Sequence, residues 1–374
     1  MTTTVPRVTL SEVVAIERTG VDPASLAPDV RYLGLEHIER GGRIIGHDTV
    51  GAAALASTKF QFTPEHVLFG KLRPNLGKVA RPDFEGVSST DILPIKPGLR
   101  LDRDYLVHFL RQPSMVEYAA TRASGANLPR LSPTVLGTFE IPLPPIEEQR
   151  RIAAILDQAD AIRTKRRQVL VRLEDLIRSA FHTTCETGEV FPVKPLASLG
   201  AISTGRTPPT AQAAMFGGPI PFVTPGDLDS GRPASRSVTE AGAAVSRTVR
   251  AGSTLVCCIG ATIGKTGIAR ERSAFNQQIN AVEWGDDVVD EYGFQAVRAL
   301  RPVIVARGAS TTLPLLPKSK FSQLEVPVPP LTVQRAFARQ VDAILKQRAA
   351  VENALLRDEE LFASLQSRAF RGEL

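Results

Sequence analysis

The chain has 374 residues, of which 43% are hydrophobic and 22% charged, and its formal net charge is +6. This composition excludes a disordered chain, and the length favours two globular domains over one. No 18 apolar residues occur in succession, and the first residues lack the apolar run of a secretory leader. We therefore expect a cytoplasmic protein without a membrane span. The basic excess permits a polyanionic partner but does not require one.

The sequence offers no pattern for catalysis or metal binding. Cys257 and Cys258 are adjacent in "STLVCCIG", which reads as a buried strand, and Cys185 stands alone. No Cys-x-x-Cys or histidine pair has ligand spacing. The segment "CIGATIGKTG" has three residues where a phosphate-binding loop needs four, and the Asn/Asp-Pro-Pro-aromatic tetrapeptide of a methyltransferase is missing. We expect a non-catalytic protein without its own cofactor or metal.

Sliding the chain against itself reveals a tandem repeat. Matches near the proline-rich phrases occur at an offset of 185 residues, and matches further upstream at 187. They include Arg122 with Arg307, Leu128-Pro129 with Leu313-Pro314, Glu140 with Glu325, Leu68 with Leu255, Lys78 with Lys265, Tyr105 with Tyr292, and Arg111 with Arg298. The chain is thus two copies of one unit, each a globular domain followed by a helix.

Short β-branched runs between Gly and Pro clusters predict strand-rich, mixed domains. One helix is expected in the first domain, around Tyr105 to Tyr118. The fold class predicted is α+β, with two such domains separated by a pair of long antiparallel coiled-coil helices. The predicted boundaries are 1–143 for the first domain, 144–184 for its helix, 185–328 for the second domain and 329–374 for its helix.

Each long helix is predicted by a Pro-Pro pair followed by apolar residues at spacings of three and four. The first stripe is Ile152, Leu156, Ala159, Leu170, Leu173, Ile177 and Ala180; the second is Phe337, Val341, Ile344, Val351, Leu355, Phe362, Leu365 and Ala369. Arg163 and Arg166 interrupt the first stripe and Arg348 the second. These arginines either face a partner protein or extend along the edge of the stripe.

Connectivity predicts how the helices run. The first helix leads from the first domain to the second, so a second helix packed along it must run back, which makes the pair antiparallel. About 35 residues give a rod of roughly 50 Å. We expect the domains at its two ends, related by a pseudo-two-fold axis. This arrangement suits a two-part DNA target, because the rod spans roughly 15 base pairs and the half-sites would lie about a helical turn or more apart.

The motifs resemble those of the specificity subunit of type I restriction-modification systems. The resemblance covers nearly the whole chain and rests on "IPLPPIEEQRRIAAILD", "VPVPPLTVQRAFARQVDAIL", "STGRTPPTAQAAMFGGPIPFVTPGDL", "IGATIGKTGIA" and "SRAFRGEL". The second proline phrase departs from the pattern, since Leu331-Thr332-Val333-Gln334 replaces Ile146-Glu147-Glu148-Gln149 and the acidic pair is missing.

This resemblance implies a subunit that reads two short half-sites of double-stranded DNA through two target-recognition domains. It implies two methyltransferase subunits held by the helices, and restriction subunits in the full complex. S-adenosylmethionine, ATP and Mg²⁺ are then expected on those partners only. The expected partner interface comprises Glu148, Gln149, Arg163, Arg166, Gln334 and Arg348.

The repeat also separates shared from distinct DNA contacts. Basic residues matched between the copies suit phosphate contacts, or are surface charges or structural ion pairs: Lys78 with Lys265 and Arg122 with Arg307. Polar residues that differ between the copies are free to read different bases. These are Arg73, Asn75, Ser89, Thr90 and Asp91 in the first copy and Thr262, Asn276, Gln277 and Gln278 in the second, with Asn127, Arg130, Lys318 and Lys320 as flanking candidates.

Two other functions remain open on the sequence alone. The modest net charge allows a coiled-coil scaffold or adaptor with no DNA role. A specificity protein that serves a single-chain restriction-methylase has the same sequence features as the main interpretation.

Overall fold

The apolar runs and helical stripes of the sequence assemble into two units in the computed structural model. Unit 1 comprises Met1–Arg167 together with Asn353–Leu374, and unit 2 comprises Gln168–Glu352. Each unit therefore contains a strand-rich domain and one segment from each of two long helices. The structure describes residues 5–185, 191–229, 233–309 and 313–374.

Within the described residues, the domain of unit 1 consists of short strands and short helices. The strands are β1 Arg7–Thr9, β2 Val14–Ile16, β3 Gly20–Val21, β4 Arg31–Leu33, β5 Asp48–Thr49, β6 Lys59–Phe62, β7 Val67–Gly70, β8 Val79–Ala80, β9 Gly86–Ser88, β10 Ile92–Pro97 and β11 Glu140–Pro142. The helices are α1 Leu10–Val13, α2 Arg103–Leu110, α3 Pro113–Thr121 and α4 Pro133–Gly137, and the long helix α5 is Ile146–Cys185.

Three sheets organise this domain. A four-stranded antiparallel sheet has the order β2-β10-β7-β8, and a five-stranded sheet has the order β3-β6-β9-β4-β5 with β4 and β9 parallel. The third sheet pairs β1 with β11, so the start of the domain is held to the segment just before α5. The side chains of Leu93, Tyr105 and Leu106 are fully buried in the core beside the four-stranded sheet.

The domain of unit 2 repeats this plan. Its strands are β12 Val193–Pro195, β13 Gly200–Thr204, β14 Phe216–Val223, β15 Ser237–Val238, β16 Thr248–Val249, β17 Thr254–Cys257, β18 Thr266–Ile268, β19 Ser273–Phe275, β20 Ile279–Trp284 and β21 Glu325–Pro327. Its helices are α6 Glu240–Val245, α7 Asp290–Ala299, α8 Arg301–Gly308 and α9 Lys318–Phe321, and the long helix α10 is Leu331–Ala369.

Two of the sheets of unit 2 correspond to those of unit 1 strand by strand, and the third has one strand fewer. The order β13-β20-β17-β18 matches β2-β10-β7-β8, and β12 pairs with β21 as β1 pairs with β11. The remaining sheet, β15-β14-β19-β16, again contains one parallel pair, β14 with β19. All four residues of β17 are buried, which explains why the predicted strand around Cys257 shows no polar alternation.

Segments of the two long helices pack in opposite directions within unit 1. The Arg151 guanidinium donates to the Leu374 carbonyl, and Arg167 pairs with Glu359, so advancing along α5 means moving back along α10. Ile152 and Leu156 of α5 are buried in one cluster with Ala369 and Phe370. Burying each of the larger of these side chains contributes about 1.5–3 kcal/mol.

Unit 2 contains the matching arrangement. Phe181 near the end of α5 stacks edge-on against Phe337 near the start of α10, and the Arg348 guanidinium contacts the Glu174 carboxylate. The two segments are again antiparallel. The prediction of two strand-rich α+β repeats with antiparallel long helices is therefore confirmed.

The single helix predicted from Tyr105 to Tyr118 is wrong, because the structure divides it into α2 and α3. Pro113 is the first residue of α3 and cannot continue α2, since it lacks a backbone N–H and clashes with the preceding turn. The same break separates α7 from α8 in unit 2, where Pro302 lies in the first turn of α8.

The predicted boundary between residues 184 and 185 lies beside residues 186–190, which are outside the described residues. Among the residues that the structure covers, none of the helices is long and apolar enough to cross a membrane.

Candidate nucleic-acid interface

Three loops of unit 1 meet beside the four-stranded sheet. The loop after β7 and the turn before β10 are joined by a hydrogen bond from the Lys71 amide to the Asp91 carbonyl, 2.9 Å. The loop before α4 joins them, because the Arg73 amide donates to Pro129 and the Leu131 amide to Lys71, 2.8 and 2.9 Å. We call residues 71–77, 89–91 and 127–131 the first loop cluster.

Unit 2 makes the same three bonds at equivalent positions. The amide of Cys258 donates to the Gln278 carbonyl, Gly260 to Pro314 and Leu316 to Cys258, each at 2.8 Å. We call residues 258–264, 276–278 and 313–316 the second loop cluster. One backbone scaffold therefore presents two different sets of side chains.

Arg73 lies in the first loop cluster in a left-handed conformation, with φ of 50°. Its equivalent in unit 2 is Gly260, which has φ of 94°. Glycine adopts this region freely, whereas a residue with a Cβ atom loses about 1–2 kcal/mol there. The backbone geometry is thus kept in both units, and unit 1 carries an exposed arginine in spite of the strain.

The other predicted residues of unit 1 fall on the same loops. Arg130 is exposed, forms an isolated bridge with Leu72 and pairs with the Asp91 carboxylate. Asn75 and Asn127 are exposed, and Ser89 and Thr90 are half-buried in the turn before β10. The structure therefore brings together three stretches that are far apart in sequence and that carry six predicted residues: Arg73, Asn75, Ser89, Thr90, Asn127 and Arg130.

The amides of the second loop cluster divide into exposed and buried groups. Gln277 is exposed, and its Oε1 accepts a hydrogen bond from the Thr207 hydroxyl at 2.6 Å. Asn276 is buried and donates to Gln278 Oε1, while Gln278 Nε2 donates to the Ile259 carbonyl. The amides of Asn276 and Gln278 therefore bond within the loops, whereas Gln277 is at the surface, and DNA reading by these three residues stays a prediction.

Three further predicted residues of unit 2 lie in or near this cluster. Thr262 is half-buried in the loop after β17, and its hydroxyl contacts the Cys257 thiol at 3.4 Å. Lys318 and Lys320 are exposed on α9, which follows the third loop of the cluster.

The matched basic residues have different surroundings. Lys78 Nζ donates to the Leu35 carbonyl at 2.7 Å, so its ammonium group is already bonded within the domain, and the matched Lys265 is half-buried. The Arg122 guanidinium lies over the Tyr118 ring, 3.3 Å from its centroid, and remains exposed. Arg307 is exposed on α8. Arg122 and Arg307 are therefore the better placed of the four to meet a phosphate.

The glutamines of the two proline phrases are not at a surface. Gln149 and Gln334 are fully buried, and each side-chain amide bonds to three backbone groups of its own unit. This corrects their predicted role in a partner interface, because neither amide is accessible. Glu148 is half-buried and pairs with Arg151 one turn later, and that hydrogen bond lowers the pKa of the Glu148 carboxyl.

The arginines that interrupt the helical stripes contact side chains of their own unit. Arg163 lies over the Phe362 ring, 3.5 Å from its centroid, and pairs with Asp160. Arg166 pairs with Asp358, and Arg348 with both Glu174 and Glu352. These arginines therefore join α5 to α10, and contact with a partner protein would be additional to that role.

Two side-chain contacts of these surfaces were not predicted from sequence. Asp91 stands in the mismatched stretch with Ser89 and Thr90, but its pairing with Arg130 spans 39 residues. Thr207 comes from the "STGRTPPT" segment, 70 residues before Gln277. The mismatch between the copies identified Asp91 as a polar difference but did not indicate that it pairs with Arg130. Within the described residues, no three His, Cys, Asp or Glu side chains are placed to hold a metal ion.

Comparison with known proteins decides the family. The model of the type I restriction modification DNA specificity domain matches residues 8–174 and again residues 189–358. This chain belongs to the type I restriction modification DNA specificity family. The two matched segments coincide with the two copies found by sliding the sequence against itself, so the predicted family and the tandem repeat are both confirmed.

Two curated specificity subunits are similar to this chain in sequence. The specificity subunit of the type I restriction enzyme EcoDI from Escherichia coli is 28% identical over 157 residues, which cover 41% of this chain and 35% of the relative. The putative MjaX specificity subunit from Methanocaldococcus jannaschii is 25% identical over 315 residues, 76% of this chain and 73% of the relative. The match to the EcoDI subunit therefore spans about a third of that relative's length.

Solved structures share the fold of the specificity family. A chain from work on complex assembly and conformational transition of the type I R-M system aligns with a TM-score of 0.60 and 22% identity, covering 99% of this chain and 98% of that one. The S subunit of a type I restriction-modification system from M. genitalium aligns with a TM-score of 0.63 and 15% identity, covering 98% and 96%.

Proposed function

We propose that this chain is a non-catalytic specificity subunit that reads a two-part DNA target, one half-site through each loop cluster. The observation that supports this most directly is the shared backbone scaffold with different side chains. Where unit 1 has Arg130, unit 2 has Leu315 on the same backbone bridge. Equivalent loops then approach DNA alike but read different bases.

The partners follow from the family. We propose that the long helices hold two methyltransferase subunits and that restriction subunits join the full complex in the cytoplasm. S-adenosylmethionine, ATP and Mg²⁺ would bind on those subunits. Exposed apolar side chains on the helices support a protein-binding role: Ile162, Leu356 and Leu361 in unit 1, and Val171 and Leu176 in unit 2. A single-chain restriction-methylase as the partner is the alternative that uses the same surfaces.

A domain exchange tests the two-part target. The chain is expressed with its methyltransferase in a host without other methylation, and methylated positions are mapped across the genome. Replacing residues 1–143 with a different recognition domain should change one half of the methylated sequence only. The matched control replaces residues 185–328 and should change the other half. A change in both halves from either exchange contradicts separate reading.

An insertion tests whether the helices set the spacing of the half-sites. Four residues added next to the exposed Lys165 lengthen α5 by about 6 Å, nearly two base-pair steps, and disturb its register against α10. We expect a changed spacing or a loss of methylation, whereas Lys165→Ala without insertion should keep both. An unchanged spacing at full activity would exclude the helices as the ruler.

Salt dependence separates this proposal from a scaffold without DNA contacts. Affinity of the chain with its methyltransferase for duplex DNA should fall steeply as salt rises, because bound cations are released from the phosphates. Absent or salt-insensitive binding would favour the scaffold.

A further inference from the structure

Arg130 is held at a fixed place in the first loop cluster. Its backbone forms bridges to Leu72 and to Ser124, so the loop before α4 cannot move away from the loop after β7 without breaking them. Its side chain is 44% exposed, which leaves the guanidinium open to a ligand. The position is therefore both anchored and accessible.

Asp91 orients this guanidinium. Arg130 Nε donates to Asp91 Oδ1 at 2.9 Å and Nη2 donates to Oδ2 at 3.2 Å, so one edge of the planar group is occupied. Nη1 donates to the Leu128 carbonyl at 3.5 Å. Each terminal nitrogen has two N–H groups and makes one of these bonds, so one N–H of each is left for a ligand, and we call this pair the open end of the fork. Lys71 Nζ lies 4.0 Å from the same carboxylate and helps to hold it.

The open end of the fork has the geometry of a bidentate donor. Guanine presents two acceptors, O6 and N7, on its major-groove edge, and arginine pairs with both at once. A carboxylate that fixes the guanidinium reduces the side-chain freedom lost on binding. Arg130 is thus prepared for two parallel acceptors before DNA arrives.

A phosphate contact suits this arrangement less well. A phosphate bound at the same guanidinium would lie close to the Asp91 carboxylate, and the like charges would repel. The edge of a neutral base has no such conflict. The exposed Arg122, which lies over the Tyr118 ring and donates to the Thr121 hydroxyl, represents the phosphate type better.

Unit 2 shows that this pair is specific to unit 1. Leu315 takes the place of Arg130, and Gln278 takes the place of Asp91, on the same backbone bonds. Leu315 is exposed, so the second loop cluster offers an apolar side chain where the first offers a charged fork. A position that keeps its backbone and changes its chemistry is suited to reading sequence.

We propose that Arg130, positioned by Asp91, reads a guanine in the major groove of the half-site that unit 1 binds. This inference rests on the proposed function, because it assigns a base to one of its two loop clusters. Asp91 is a positioning residue, since it acts through Arg130.

Methylation mapping of variants tests the inference. The full chain and its methyltransferase are supplied with DNA targets that carry each of the four bases at every position of the half-site assigned to unit 1 by domain exchange. Arg130→Lys keeps the charge but loses the fork. We expect it to reduce discrimination for guanine by about 10- to 100-fold at one position, and to leave the other half-site unchanged.

Two further variants keep the test decisive. Asp91→Asn should weaken discrimination at the same position by a smaller factor, since Arg130 loses its charged partner. The double variant Asp91→Gln with Arg130→Leu copies the pair that unit 2 already accommodates, and should abolish the guanine requirement while the chain still folds. Arg43→Lys, at another exposed arginine of unit 1 that pairs with a carboxylate, Glu39, but lies outside the loop cluster, is the matched control and should retain the wild-type motif.

Several results would overturn the inference. These are a half-site for unit 1 without guanine on either strand, an unchanged motif in Arg130→Lys, or a uniform loss of methylation with the motif intact. An Asp91→Asn variant with full discrimination would remove the positioning role. Failure of the proposed function itself looks different, because the wild-type complex would then show no two-part motif at all.

Discussion

Gln149 and Gln334 make the same three hydrogen bonds in the two units. Oε1 of Gln149 accepts from the Asp102 amide, and that of Gln334 accepts from the Val289 amide, at 2.8 and 2.9 Å. Each Nε2 donates to two backbone carbonyls, one of them in the proline phrase just before the long helix. The glutamine of the repeated phrase therefore ties the start of the long helix to the helix that begins at residue 103 or 290.

Removing either amide should destabilise the unit that contains it. Gln149→Ala leaves an amide and two carbonyls without their partner in a buried place, so we expect a loss of about 2–5 kcal/mol in the free energy of unfolding. Gln334→Ala should have a similar effect on unit 2. Urea unfolding of the purified chain measures both, and the exposed Arg150→Ala is the control, with a change below about 0.5 kcal/mol. Equal losses in variant and control would contradict this role.

Replacing Arg73 with glycine should reduce function without reducing stability. Arg73→Gly relieves a left-handed conformation that Gly260 adopts freely in unit 2. We expect unfolding free energy to stay equal or rise by up to about 1 kcal/mol, because relief of strain outweighs the greater freedom of glycine in the unfolded chain. Methylation of the target should nevertheless decrease. Thermal unfolding and methylation rates measured on the same preparation decide the matter, and a variant that is both destabilised and fully active would refute it.

The two amide environments of the second loop cluster predict different phenotypes. Gln277→Ala should leave stability within about 0.5 kcal/mol and relax the base requirement at one position of the second half-site. Asn276→Ala should instead lower the unfolding free energy by about 1–3 kcal/mol, since it removes a buried partner of Gln278. Urea unfolding together with methylation mapping distinguishes them. Identical phenotypes for the two variants would mean that burial does not separate their roles.

The ionised Asp157 carboxylate should stabilise unit 1, and this stabilisation should be lost at acid pH. Burial opposes ionisation of this carboxyl, but hydrogen bonds from His108 and from Arg81, which also contacts Asp104, outweigh it and lower its pKa. A carboxyl with a lowered pKa stabilises the fold above its ordinary value of 3.8, and this contribution is lost as pH falls below that value.

We therefore expect Asp157→Asn to lose about 1–3 kcal/mol at neutral pH, a difference that shrinks as pH falls below about 4. Unfolding curves of the variant and the wild type at several pH values measure this. Glu147→Gln, at an exposed ion pair with Arg150, is the control and should show little difference at any pH. A gap that is constant between pH 7 and pH 3 would contradict the role given to Asp157.

The candidate site was partly predictable. Mismatched polar residues between the copies led to Arg73, Gln277 and the Ser89-Thr90 turn, all of which lie in the loop clusters. The prediction did not separate Gln277, which is exposed, from Asn276, which is buried next to it. Adjacent residues in a turn point in different directions, and only the neighbouring loops decide which side chain is enclosed.

The tandem repeat, the long helices and the family were predictable from the sequence. These features depend on local or direct comparisons: a helical stripe relates residues three and four apart, and a repeat matches one position with another. The tertiary structure alone decided that Arg130 meets Asp91 and that Gln149 is enclosed by the backbone. Such contacts join loops without periodicity across tens of residues, and the hydrogen bonds that fix these loops form only once the sheets are assembled.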